Sequence, residues 1–274
     1  MSAGMMDPQA LPTTIDAVIA AFDALIAGDI RARSRLGYFA ALYRGVTIQV
    51  KAGIASGRFD DGPRMERLDV TFANRYLAAL EQFRLGEPPS RCWSVAFDAA
   101  MRWRPLILQQ LLLGMNAHIN FDLGIAAATV CPGDELPPLR HDFDEINAIL
   151  AGMVNQVIDE INEVSPWIKF LDQIDPSADD AIINFSMDRA RASAWGFAST
   201  LAPLAPEDWG PELDARDRAT ADLGRLIAHP PGILFKLGLL LIRLRESSNV
   251  PKVIAVLEQT GSTASPGLSQ APRS

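Results

Sequence analysis

Read along the chain, apolar positions recur at helical spacing in block after block. No run alternates apolar and polar residues over a strand length with β-branched enrichment. The pattern predicts helices over about 14–27, 30–56, 61–85, 90–102, 105–131, 142–164, 166–174, 179–201, 211–228, 232–246 and 250–257. Thr13 or Thr14 caps the first and Gly28 is read as its stop, while Asp60-Asp61-Gly62-Pro63 opens the third. The Pro-rich stretches at 88–89, 132–138 and 202–211 separate helices but are too short to separate domains. The expected fold is all-α: one multi-helix bundle over residues 13–258, built around a buried central apolar helix. Disordered termini are expected at 1–12 and 259–274.

The central helix carries the most informative deviation. It is apolar nearly all round, which predicts other helices on every side. Yet Asn116, His118, Asn120 and Asp122 fall within it. At ~100° per residue, Asn116 and Asn120 share one side, and His118 and Asp122 share roughly the opposite one. An imidazole and a carboxylate one turn apart suit three roles. The Asp can orient the His as a general base, both can bind one divalent metal ion, or the pair can lock packing. Asn116 and Asn120 are candidates to contact a substrate or to bridge helices.

Two other helices hold polar residues on their buried faces. In 61–85, Asp69 joins the stripe of Met65, Phe72, Ala73, Tyr76 and Leu80. Arg75 lies well off that stripe, so an arginine from a neighbouring helix is the expected partner of Asp69. In 142–164, Asn147 shares the face of Phe143, Ile146, Leu150, Val154, Val157 and Ile161. His141 points away from that face, which argues against a metal site joining His141-Asp142 to His118. In 179–201, Asp188, Arg189 and Arg191 are read as a solvated flank beside the core positions Ile183, Met187, Ala190, Ala194, Ala198 and Leu201.

Composition narrows the function. The formal net charge is −8 over 274 residues, which argues against nucleic acid and against a polybasic contact with anionic lipid. Two distant cysteines, Cys92 and Cys131, form no metal ribbon or disulfide framework. The N-terminus lacks the features of a secretory signal, so a cytoplasmic location is the expectation. The polar quartet makes 106–130 a poor membrane span. The second apolar stretch, Ile233–Leu244, is too short to span, which leaves peripheral contact as its only membrane role. No elbow, phosphate loop, dinucleotide fingerprint, zincin or di-iron pattern is found.

The string LLLGMNAHINFDLG at 111–124 resembles the signature of a bacterial family known only as a domain of unknown function. GRFDD at 57–61, FANRY at 72–76 with the preceding Asp69, and the helix start Asp142-Phe143 to Asn147 are similar to it as well. The resemblance spans most of residues 15–258. It implies one helical domain and brings no activity, so it assigns no catalytic residue.

The residues themselves leave three readings. One is an enzyme hydrolysing a small ester or phosphoester, with or without a divalent metal, through His118 and Asp122. There Asn116, Asn120, Asp69 and Asn147 would contact substrate. The second is a module binding an apolar or amphipathic small molecule. The third is a quartet that only fixes helix packing. Oligomeric state is not legible.

Overall fold

The computed structural model describes residues 11–147, 149–150, 153, 164–165 and 187–259. Regular structure among the described residues is helical throughout. Helices α1 (Ile15–Ala32), α2 (Gly37–Ala55), α3 (Gly62–Leu85) and α4 (Arg91–Ala100) lead to the central helix. That helix is α5 (Ile107–Ala117), a π-helical turn (His118–Asp122) and α6 (Leu123–Val130), end to end. Residues 140–147 are helical. Then come α7 (Met187–Leu201), α8 (Gly210–Ala228), α9 (Ile233–Arg243) and α10 (Val250–Leu257). The expected helix at 166–174, residues 179–186, the side chains Val154, Val157 and Ile161, and both expected disordered termini apart from residues 11, 12 and 259 lie outside the described residues.

Several ends follow the local chemistry. The Thr14 hydroxyl accepts from the Ala17 N–H at 3.2 Å, and the Asp61 carboxylate accepts from the Arg64 N–H at 2.9 Å. Gly86 ends α3 with φ of 78°. The first boundary differs from expectation. Gly28 lies inside α1, which continues to Ala32 and is closed by Arg33 at φ of 51°. Consequently α2 starts at Gly37 rather than near residue 30. Glycine weakens a helix interior but does not stop it when the apolar stripe (here Val18, Phe22 and Ile26) is fully buried.

The 24-residue helix Ile107–Val130 is apolar and long enough to cross a membrane, but its most apolar window is 94% buried inside the protein. It is a core helix. Its first half packs on α2, α4 and α8, and α6 packs chiefly on α7. Two glycines permit these contacts. A Cβ on Gly114 would lie 2.4 Å from the Phe39 ring, and one on Gly124 would lie 2.8 Å from the Ala194 carbonyl oxygen. Both glycines belong to the 111–124 string, so part of that motif is explained by helix approach.

Buried carboxylates cap helix starts from a distance. The Asp217 carboxylate on α8 accepts from the Arg91 and Cys92 N–H groups of α4, both at 2.9 Å. Glu246, just after α9, accepts from the Ile107 N–H at the start of α5. Asp142 accepts from the Asp60 and Asp61 N–H groups at 2.7 and 3.1 Å and pairs with Arg64 at 2.7 Å. Each satisfies donors that a helix start or turn leaves open.

Arg191 differs from expectation too. It is buried, donates to the Phe143 carbonyl oxygen and lies over the Phe143 ring at 4.5 Å. Burial drops its guanidinium to about 10. The face of α7 rotates to include it because the 140–147 helix offers an aromatic ring and a carbonyl there.

Glycine at position 114 makes a direct prediction. Gly114→Ala should lower stability by roughly 1–3 kcal/mol through overpacking against Phe39. Gly28→Ala, whose Cβ meets only the end of the Arg31 side chain at 4.0 Å, should be neutral or stabilising by up to about 1 kcal/mol. Urea unfolding of both variants checks the pair, and equal effects would contradict the packing described.

Candidate functional site

The π-helical turn widens the central helix at the polar quartet, a distortion often found at functional positions. Its two sides meet different neighbours. On one side, Asn116 Nδ2 donates to the Thr220 carbonyl oxygen of α8 at 2.9 Å. Asn120 Nδ2 donates to Asn116 Oδ1 at 3.0 Å, and Arg216 Nε donates to the Asn120 carbonyl oxygen at 2.6 Å. These bonds join the central helix to α8.

The other side faces α2, α3 and α4. Asp122 is 1% exposed and takes donors from three elements. Arg75 Nε of α3 donates to Oδ1 at 2.7 Å. Trp93 Nε1 of α4 donates to Oδ2 at 2.8 Å. His118 Nδ1, one turn away, lies 3.3 Å from Oδ2. Burial alone would raise the Asp122 carboxyl, but the Arg75 charge and the bonds from His118 and Trp93 outweigh it and hold the group below its ordinary value. Asp122 is therefore an anion. Burial lowers the His118 imidazole against the opposing pull of Asp122, so His118 is neutral. A neutral imidazole beside a carboxylate carries its proton on Nδ1 and leaves Nε2 as a bare lone pair.

Aromatic rings enclose that imidazole. Phe72 stacks on it with centroids 3.5 Å apart and an interplanar angle of 6°. Tyr43 meets it edge-on at 4.4 Å, and Phe39 and Trp93 lie at 5.7 and 6.0 Å. Phe72 is only half-buried, whereas Phe39, Tyr43 and Trp93 are buried, so it is the ring of the enclosure that reaches the surface.

Within this cluster, His118 Nε2 and the hydroxyls of Tyr43 and Tyr76 are buried without a hydrogen-bond partner, as is Asp69 Oδ2 on α3. Asp69 precedes Phe72 by one turn of α3, and it and Asp122 both act on the Tyr43 phenol, which burial raises first of all. Asp69 itself is pushed up to about 8, by burial and then by the nearby Glu66 charge. The arginine expected to pair with Asp69 is not there among the described residues. Arg75 serves Asp122 instead, because it leaves α3 on the side where the central helix lies.

Asn147 is half-buried, and its Oδ1 has no partner. His141 is exposed and lies 3.0 Å from Asp60. Asp60, His141 and Asp142 could together offer three ligand atoms to a metal, but both Asp142 oxygens are occupied by the backbone and Arg64. His118 is not in this group, and its Nδ1 lies 3.3 Å from Asp122. Trp93 and Tyr43 escaped the sequence reading, which placed Arg75 off the Asp69 stripe without finding its partner. Each sits in an unremarkable helical context, and only the packing of α2, α3 and α4 brings them to Asp122 and His118.

The family model described as "Family of unknown function (DUF5995)" matches residues 15–230, and the chain belongs to this family. No curated protein and no solved structure matches the chain.

Asp69 has a pH signature. Its folded carboxyl keeps a proton up to about 8, whereas the unfolded chain releases it near about 3.9. Between those values the unfolded state binds fewer protons, so this group makes stability fall as pH rises, by at most about 1.4 kcal/mol per pH unit. Asp69→Asn should remove that slope, and its stability relative to wild type should grow from about pH 5 to about pH 8. Chemical denaturation at both ends measures it. A difference independent of pH would show that Asp69 is ionised in the folded protein.

Proposed function

We propose that this chain is an enzyme that hydrolyses a small uncharged ester by acid–base chemistry at His118. The observation that carries this reading is a set of buried, unpartnered polar atoms around one aromatic cluster: His118 Nε2 and the Tyr43 and Tyr76 hydroxyls within it, and Asp69 Oδ2 one turn from Phe72 on α3. An unmade buried hydrogen bond costs about 1–3 kcal/mol, and such a cost is reasonable where a ligand completes the bonds.

The roles follow from protonation. Asp122 holds the His118 Nδ1–H, leaving Nε2 to take a proton from water as the hydroxide adds to the ester carbonyl. Asp69, still protonated, gives its proton to the departing alkoxide, and the imidazolium then returns a proton to Asp69. The Tyr43 hydroxyl would donate to the carbonyl oxygen as it gains charge. Two groups with protonation pushed in opposite senses suit a paired acid and base. Asn116 and Asn120 have no part in this scheme, since their amides serve each other and α8, and Asn147 remains a candidate only through its unpartnered Oδ1.

An uncharged substrate suits the electrostatics. Asp122 is an anion whose charge is already met by Arg75, so a phosphoester would need another cation. A divalent metal on His118 Nε2 would supply one, with Asp122 behind the imidazole as in many metal–histidine pairs. The enclosing rings Phe39, Tyr43, Phe72 and Trp93 also favour a second reading, an amphipathic small molecule that is bound and not turned over.

Purified protein should hydrolyse short-chain nitrophenyl esters, and His118→Gln should lower the rate by roughly 10²–10⁴-fold. Phe72→Ala should speed modification of His118 by diethylpyrocarbonate, located by mass spectrometry. Hydrolysis unchanged in His118→Gln would refute the enzyme reading. A co-purified ligand with no turnover would favour the binding module, and stoichiometric metal would favour the metal version.

A further inference from the structure

A second surface, away from His118, is exposed and both apolar and basic. On α9, Leu237, Leu240, Leu241 and Leu244 are 52%, 38%, 55% and 67% exposed. Their spacing places them on one stripe of the helix. The opposite side is occupied: Ile242, Arg243 and Glu246 are buried, and Glu246 caps the central helix. The stripe therefore cannot turn inward without breaking that cap.

Two bonds extend the surface beyond α9. The Arg243 Nε donates to the Trp103 carbonyl oxygen, which brings the end of α9 beside the loop after α4. In that loop Met101 and Trp103 are 65% and 49% exposed. Arg35, before α2, donates to the Arg102 carbonyl oxygen at 3.1 Å. Thus Arg35, Arg102, Arg104, Lys236 and Arg245 border the exposed leucines, tryptophan and methionine. Residues 99–115 and 230–245 contain no Asp or Glu. A chain of net charge −8 has kept its acidic residues off both segments.

We propose that this face docks on an anionic lipid surface. Its charge is complementary to such a surface, and the local charge decides the contact where the net charge of the chain suggested none. A Trp beside leucines and arginines suits the interface, with rings and aliphatic chains in the acyl boundary and guanidinium groups among headgroups. α9 lies in the plane of the bilayer, since at 11 residues it is too short to cross one.

Vesicle flotation of the full chain tests this. Phosphatidylcholine vesicles with roughly a third phosphatidylglycerol should retain the protein, and pure phosphatidylcholine should not. Leu241→Glu with Leu244→Glu should abolish binding. Arg102→Gln with Arg104→Gln should weaken it roughly tenfold or more. Leu204→Glu, on an exposed leucine in the loop between α7 and α8, should bind as wild type, and circular dichroism should show all variants folded. The proposal is overturned if neither vesicle binds, if both bind equally, or if the paired glutamates leave binding intact. It is also overturned if the face proves to join two copies, seen as a wild-type dimer that the paired glutamates render monomeric. None of these outcomes depends on the reaction at His118.

Discussion

The structure is organised around a carboxylate that cannot be left alone. Asp122 is buried in the middle of an apolar helix, and an ion there is costly unless its oxygens are bonded and its charge is met. Arg75, Trp93 and His118 do this from α3, α4 and the central helix itself. The Asp122 charge therefore ties three elements together at one point, fixes the proton of His118 on Nδ1, and leaves Nε2 free. Removing the carboxylate would orphan two buried donors and leave the half-buried Arg75 without its partner.

The same logic recurs around the fold with less consequence. Asp217, Glu246 and Asp142 each bring a buried carboxylate to the open end of a helix or turn elsewhere in the chain. These groups are satisfied and read as architecture. Asp69 differs from these three, a carboxyl on a core stripe with an unmet oxygen and no arginine among the described residues. That contrast supports the proposed site on the His118 side.

Much of the architecture was legible in the sequence because helical periodicity and capping are local. The ends of α3, the extent of the central helix and the two-sidedness of its polar quartet follow from spacing and from Asp61, Pro63 and Gly86. Where reading failed, tertiary contact had overridden a local cue: Gly28 sits inside α1, and Arg191 is buried by an aromatic ring from a distant segment. The site was half legible. His118, Asp122 and Asp69 stood out as polar residues on apolar faces. Arg75, Trp93 and Tyr43 did not, since a helix sequence says which face is buried but not which neighbour it meets. The roles of Gly114 and Gly124 were hidden for the same reason, each being set by a side chain or carbonyl on another helix.

The protonation state of His118 is the point on which the account turns. Long-range proton–nitrogen NMR of the imidazole reads it directly. The ring should be neutral, with the proton on Nδ1 and a bare Nε2, and should stay so as pH falls below the ordinary histidine value of about 6.5. An imidazolium at neutral pH, or a proton on Nε2, would contradict it.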